Sequence, residues 1–82
     1  MRKSVHSAAY KAVTEALRRA RKRAGLTQHE LAERLERPQS FIAKIERGER
    51  RLDVIEFVTV ATAIGVNPVR LFSSIIKDAR MF

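Results

Sequence analysis

The chain has 82 residues, 45% of them apolar, and a net charge of +8. That length makes one domain with a modest core, to which pairing with a second copy would add stability. The absence of Cys excludes disulfides and thiolate metal sites, no apolar run approaches membrane-spanning length, and no apolar segment follows the N-terminal Met-Arg-Lys-Ser-Val-His to make a signal peptide. The expectation is therefore a cytoplasmic protein with no membrane partner. Charge is unevenly spread. Residues 1–24 hold eight Lys/Arg against one Glu, and residues 25–82 hold nine against eight acids. Such asymmetry points to a polyanionic partner.

Residues 1–6 are expected to form a flexible arm, followed by a single domain over 7–82 with helices near 7–24, 28–35, 39–47, 54–64 and 68–78. Ser7 caps the first helix and Gly25 stops it. Ala9, Val13, Leu17, Ala20 and Ala24 recur on one face of it, with Lys11, Arg18, Arg19, Lys22 and Arg23 on the other. A basic amphipathic helix can also lie on a membrane or an acidic partner, but this apolar face is rich in Ala and weak. Solvation is expected to account for most of these bases, with one or two left to reach the flank of a polyanionic partner. Arg21 differs, since it falls near the inner face.

The most informative stretch is 27–48. Thr27 and Glu30 form a capping box, with Leu26 and Leu31 as hydrophobic staple and Leu31, Ala32 and Leu35 as the apolar stripe. A second short helix begins near Pro38, whose fixed φ suits a first helical turn. Ile42 and Ile45 form its inner face, Phe41 lies at the edge, and Gly48 stops it. Two short helices joined by a tight turn make a helix-turn-helix. Gln39, Ser40, Ala43 and Lys44 are expected to point outward from the second. Gln pairs with adenine, Lys with guanine, Ser with several bases and Ala with a thymine methyl. An arbitrary polar quartet on a helix is usually just solvated; the spacing around this one singles it out.

Arg47, Arg50 and Arg51 surround Gly48 in the following loop, where they suit phosphates, with Glu49 partly offsetting them. Asp53 and Glu56 form a second capping box, with Leu52 and Phe57 as staple and Phe57, Val58, Ala61 and Ile64 as the buried stripe. Gly65 ends that helix. Asn67-Pro68 opens the last, with Val66 and Leu71 as staple. Leu71, Phe72, Ile75, Ile76, Met81 and Phe82 then supply more apolar surface than a terminal helix needs, and Phe72, Ile75, Ile76 and Phe82 are the expected dimer interface.

Residues 17–72 resemble the helix-turn-helix domain of the Cro/phage-repressor (xenobiotic-response-element) family. The resemblance is carried by Leu17, Arg21, Gly25-Leu26-Thr27-Gln28, Leu31-Ala32, Gln39-Ser40, Ile42, Ile45-Glu46-Arg47-Gly48, Leu52, Ala61, Ile64-Gly65-Val66 and Leu71-Phe72. It implies an all-α, lambda-repressor-like bundle of five helices, a two-fold dimer and operator DNA. It further implies that Gln28 lies at a phosphate, that Gln39, Ser40 and Lys44 face base edges, and that Arg21 pairs with Glu46; Thr27, beside Gln28, is counted among the expected phosphate contacts. Three positions depart from the family pattern. Glu36 stands where Gly is usual in the turn, at a cost of roughly 1 kcal/mol if φ is positive there. Pro38 replaces a Ser or Thr cap, and Leu52 replaces a frequent Pro.

Catalysis has no support: there is no nucleophile–base set and no phosphate-cradling Gly loop. His6 and His29 are too far apart in sequence to suggest a metal site, and no cofactor is expected. The reading is a small dimeric repressor that binds double-stranded DNA. Its rivals are an antitoxin with a toxin protein as partner, the controller protein of a restriction–modification system, and a protein-interaction module using the basic helix. The lack of a long tail counts against the antitoxin.

Overall fold

The computed structural model describes residues 7–79, which fold as five helices with no strand among them: α1 (Ala8–Arg23), α2 (Gln28–Arg34), α3 (Gln39–Glu46), α4 (Val54–Ile64) and α5 (Pro68–Ala79). Met81 and Phe82, and the arm expected over 1–6, lie outside the described residues. Each start follows from a local hydrogen bond. Ser7 Oγ accepts from the Tyr10 amide at 3.0 Å. The Thr27–Glu30 and Asp53–Glu56 capping boxes both close in two directions, and Asn67 Oδ1 accepts from the amides of Val69 and Arg70. These contacts satisfy amides that the first helical turn leaves without partners. The exception is α3. Pro38 is its N-cap rather than its first helical residue, with φ −64° and ψ 152° and no side-chain cap. Proline's φ suits either place, and it is ψ that keeps Pro38 extended and moves the helix start to Gln39.

The helix ends share one device. After α1, the Leu26 amide donates to the Arg21 carbonyl and the Gly25 amide to the Lys22 carbonyl. The same paired bonds run from Arg37 and Glu36 to Ala32 and Glu33 after α2, and from Glu49 and Gly48 to Lys44 and Ile45 after α3. This closure needs a left-handed residue just past the cap. Gly25 and Gly48 supply it at φ 75° and 72°, but after α2 the residue is Glu36, at φ 55°. A side chain there is strained. Glu36→Gly should therefore raise the unfolding free energy by roughly 0.5–1 kcal/mol, the relief exceeding the extra chain entropy of glycine. Chemical denaturation checks this; a loss of stability would mean that the Glu36 side chain makes a compensating interaction.

The core joins all five helices. Leu17 and Ala20 from α1, Leu31 and Ala32 from α2, and Ile42 and Ile45 from α3 meet Phe57, Val60, Ala61 and Ile64 from α4 and Ile75 from α5. Ala32 and Ala61 are small enough to let helices approach closely. Three expectations change. On α4, Val60 takes the buried place assigned to Val58, which is exposed. Phe57, Val60, Ala61 and Ile64 recur at i, i+3, i+4 and i+7, the spacing of one helical face, whereas Val58 lies about 100° round the helix from Phe57. On α1, Ala9 and Ala24 are exposed. Ile75 is 3% exposed and belongs to the core of one copy, so it is removed from the expected dimer contacts. Ile76 is half-buried, Phe72 is 45% exposed, and Phe82 lies outside the described residues.

Candidate functional site

Helix α3 packs on both α2 and α1 and turns its remaining side outward. Gln39, Ser40 and Lys44 are exposed on that side, as expected. Ala43 is not: it is only 9% exposed. It follows Gln39 and precedes Arg47 by four residues along one helical row, so longer side chains stand on either side of its single methyl. An outward reading role for Ala43 is accordingly corrected.

A hydrogen-bond chain ties this helix to α1. Arg21 grips Glu46 with two nitrogens, Nε at 2.6 Å and Nη2 at 2.9 Å, and its Nη1 donates to the Leu26 carbonyl at 2.7 Å. Only 8% of the Arg21 side chain and 5% of the Glu46 side chain are exposed. Gln28, at the start of α2, donates from Nε2 to Glu46 Oε1 at 2.9 Å, and its own Oε1 accepts from Gln39 Nε2 at 3.1 Å. Gln28, implied to sit at a phosphate, thus holds the first residue of α3 as well. Gln39 keeps one N–H and its carbonyl oxygen, the donor and acceptor that an adenine edge requires. The Arg21–Glu46 pairing fits what the resemblance implied. Thr27 Oγ1 accepts from the Glu30 amide. The bonds from Thr27 hold the Glu30 carboxyl below its ordinary pKa.

The loop after α3 is more engaged than its run of arginines suggests. Arg50 forms two bonds with Glu56, at 2.9 and 2.8 Å, and donates to the Arg51 carbonyl. Its guanidinium also lies 4.8 Å from the Phe41 ring centroid, with that of Arg37 at 4.1 Å. The Tyr10 hydroxyl donates to the Arg50 carbonyl at 3.0 Å, which fastens the loop to α1, and burial pushes that phenol's pKa up. Arg47 pairs with Glu49 at the surface, and Arg51 is exposed. Arg37, Phe41 and the second role of Glu56 escaped sequence reasoning. Glu56 already had a reason to be present as a cap, and nothing in the spacing revealed a partner six residues earlier.

The Arg50 hydrogen bonds, with the Asp53 amide, hold the Glu56 carboxyl below its ordinary pKa. A lowered folded-state pKa stabilises the fold above the unfolded value, and that contribution is lost as pH falls through the folded one. Glu56→Gln should therefore lower the melting temperature at neutral pH, and the gap to wild type should shrink below about pH 4. A gap constant with pH would mean that the carboxylate charge contributes nothing.

An apolar groove lies on another face, lined by Tyr10, Val13, Leu52, Phe57, Val69 and Phe72 among others. Phe57 and Phe72 meet edge to face at 5.6 Å between centroids. Val54, Ile55, Val58 and Val69 are exposed. Among the described residues, no cluster of His, Asp and Glu could hold a metal, and no single helix is long and apolar enough to cross a membrane.

A helix-turn-helix family model, HTH_3, matches residues 17–71. Among solved structures, an XRE-family-like protein from Pseudomonas syringae pv. tomato is 50% identical over 90% of each chain, with a TM-score of 0.84. The restriction–modification controller protein C.Esp1396I, solved as a tetramer with its natural 35 base-pair operator, is 26% identical. That match covers 90% of this chain and 97% of the controller, with a TM-score of 0.82. The clp gene regulator ClgR from Corynebacterium glutamicum shares the fold at 23% identity, covering 92% of this chain and 80% of its own, with a TM-score of 0.78. No curated protein matches the sequence.

Proposed function

Since the chain belongs to the XRE/Cro-type helix-turn-helix family of transcription regulators, we propose that it is a homodimeric repressor that reads a near-palindromic operator with α3. The observation that carries this reading is the outer side of α3. Gln39, Ser40 and Lys44 stand exposed on a helix clamped from behind by Ile42, Ile45 and the Arg21–Glu46 pair, and Gln28 holds Gln39 at its entry end. Base edges in the major groove are read by such side chains. Thr27, Gln28, Arg47, Arg50 and Arg51 are the proposed phosphate contacts. Arg50 comes to a phosphate already positioned by Glu56, and its free Nε–H and second Nη2–H remain to donate.

The test is a titration on duplex DNA. Log affinity should fall with log salt by about 0.9 per phosphate neutralised, with roughly 6–10 contacts per dimer. An affinity independent of salt contradicts the reading.

The dimer is supported by the groove between α4 and α5. Exposed Val54, Val58, Val69 and Phe72 around it form a patch of the kind that marks an interface. A two-fold axis there brings the same patch from each copy together. Val69→Asp and Phe72→Asp should each give a folded monomer with much weaker operator binding. Sedimentation at micromolar concentration checks this, and a wild type that stays monomeric with and without DNA refutes it.

A second reading, control of a restriction–modification system, is supported by the controller solved on its operator. A methyltransferase gene beside this protein's own would favour it.

A further inference from the structure

We propose that α1 carries a second phosphate-binding track, formed by Lys11, Arg18 and Lys22, which lies along the DNA backbone beside the strand met by α2 and α3. The proposal rests on the DNA-binding reading above and extends its footprint to a helix that this reading leaves out. Spacings of seven and four residues put the three bases on one row of α1. That row borders Thr14 and Arg21, both of which are buried. The border is the edge of α1 nearest the reading helix. Arg21 reaches from it to Glu46 and to the Leu26 carbonyl, just before α2. Lys11 and Thr14 share a groove with Glu46, Arg47 and Gly48 at the end of α3. The row therefore runs from Arg47 at one end to the start of α2 at the other, between two proposed phosphate contacts.

Its charge is available. Lys11 and Lys22 are exposed and have no ion-pair partner among the described residues. Arg18 pairs with Glu15 at 3.1 Å, with both side chains more than 40% exposed, and a surface pair of this kind is exchanged for another anion at little cost. Eleven residues of helix span about 17 Å. One DNA strand presents a phosphate about every 3.4 Å along the axis, so three well-separated cations can each find one. Arg19 and Arg23 lie farther round the helix, away from the Arg21 edge, and are assigned no contact.

The test is the salt dependence of Lys11→Gln/Arg18→Gln/Lys22→Gln on a duplex that overhangs the selected site at both ends. The slope of log affinity against log salt should become shallower by about 2–3 per protomer, at about 0.9 per phosphate, with base preference unchanged. Arg19→Gln/Arg23→Gln, which removes similar charge from the other side, should change it by less than one. Circular dichroism verifies the fold. If the triple variant does not fold, Lys22→Gln alone should lose about 0.9. An unchanged slope, or an equal loss in the Arg19/Arg23 variant, overturns the track while leaving the reading helix intact. The latter is judged separately by whether Gln39→Ala and Lys44→Ala change the sequence selected. A wild type without salt-dependent binding overturns both.

Discussion

Glu46→Ala is expected to lower the unfolding free energy by about 3–5 kcal/mol, because it leaves the Arg21 guanidinium buried without its counter-charge. The fold keeps about 5–15 kcal/mol in all, so much of the population would melt at modest temperature. The size of the effect follows from burial: with less than a tenth of either side chain exposed, water cannot replace the lost carboxylate. Gln28 loses an acceptor in the same substitution. Arg21→Ala should cost a similar amount through the stranded Glu46 carboxylate. The double variant should cost far less than the two single losses combined, because removing both charges relieves the stranded one. Denaturant unfolding of the four proteins measures this coupling. Additive losses would mean that the pair does not act as a unit.

Ile45→Ala is expected to cost about 2–5 kcal/mol by opening a cavity beneath α3. Ile45 is 1% exposed and belongs to the core cluster shared by all five helices, so the lining has little freedom to collapse. The contrast with its exposed neighbours is the informative part. Lys44→Ala, one residue away, should leave the melting temperature nearly unchanged, because Lys44 projects into solvent. Gln39→Ala should do nearly the same, losing one surface hydrogen bond to Gln28. Thermal melting distinguishes the two classes; a large stability loss from Lys44→Ala would mean that the outward face is packed against something.

How much of this was legible in the sequence depended on how local the cause was. The starts of α2 and α4 could be read because a capping box is written within four residues, as in Thr27–Glu30 and Asp53–Glu56. The strained turn at Glu36 was visible only against the family pattern, and its φ of 55° bears it out. Partners distant in sequence were harder. Arg21 with Glu46 came from the resemblance, whereas Arg50 with Glu56 and the stacking on Phe41 had no local mark. Faces were harder still. On α4 the i, i+3, i+4, i+7 spacing already favoured Val60 over Val58, whereas Phe72, Ile75 and Ile76 form one apolar run. Only the position of neighbouring helices decides that Ile75 turns inward while Phe72 stays at the surface. Ala43 shows the same limit: a helical wheel places it outward, but its length relative to Gln39 and Arg47 keeps it covered.

The central claim is that α3 reads DNA sequence through Gln39 and Lys44. Selection of bound duplexes from a random pool tests it most directly, run in parallel on wild type, Gln39→Ala and Lys44→Ala. Wild type should select a near-palindrome with half-site centres about 10 base pairs apart, one helical turn. Each variant should keep that spacing and lose about 1–3 kcal/mol of discrimination at one base pair in each half-site. Selection of the same sequence with the same stringency by all three proteins would show that α3 is not the reader.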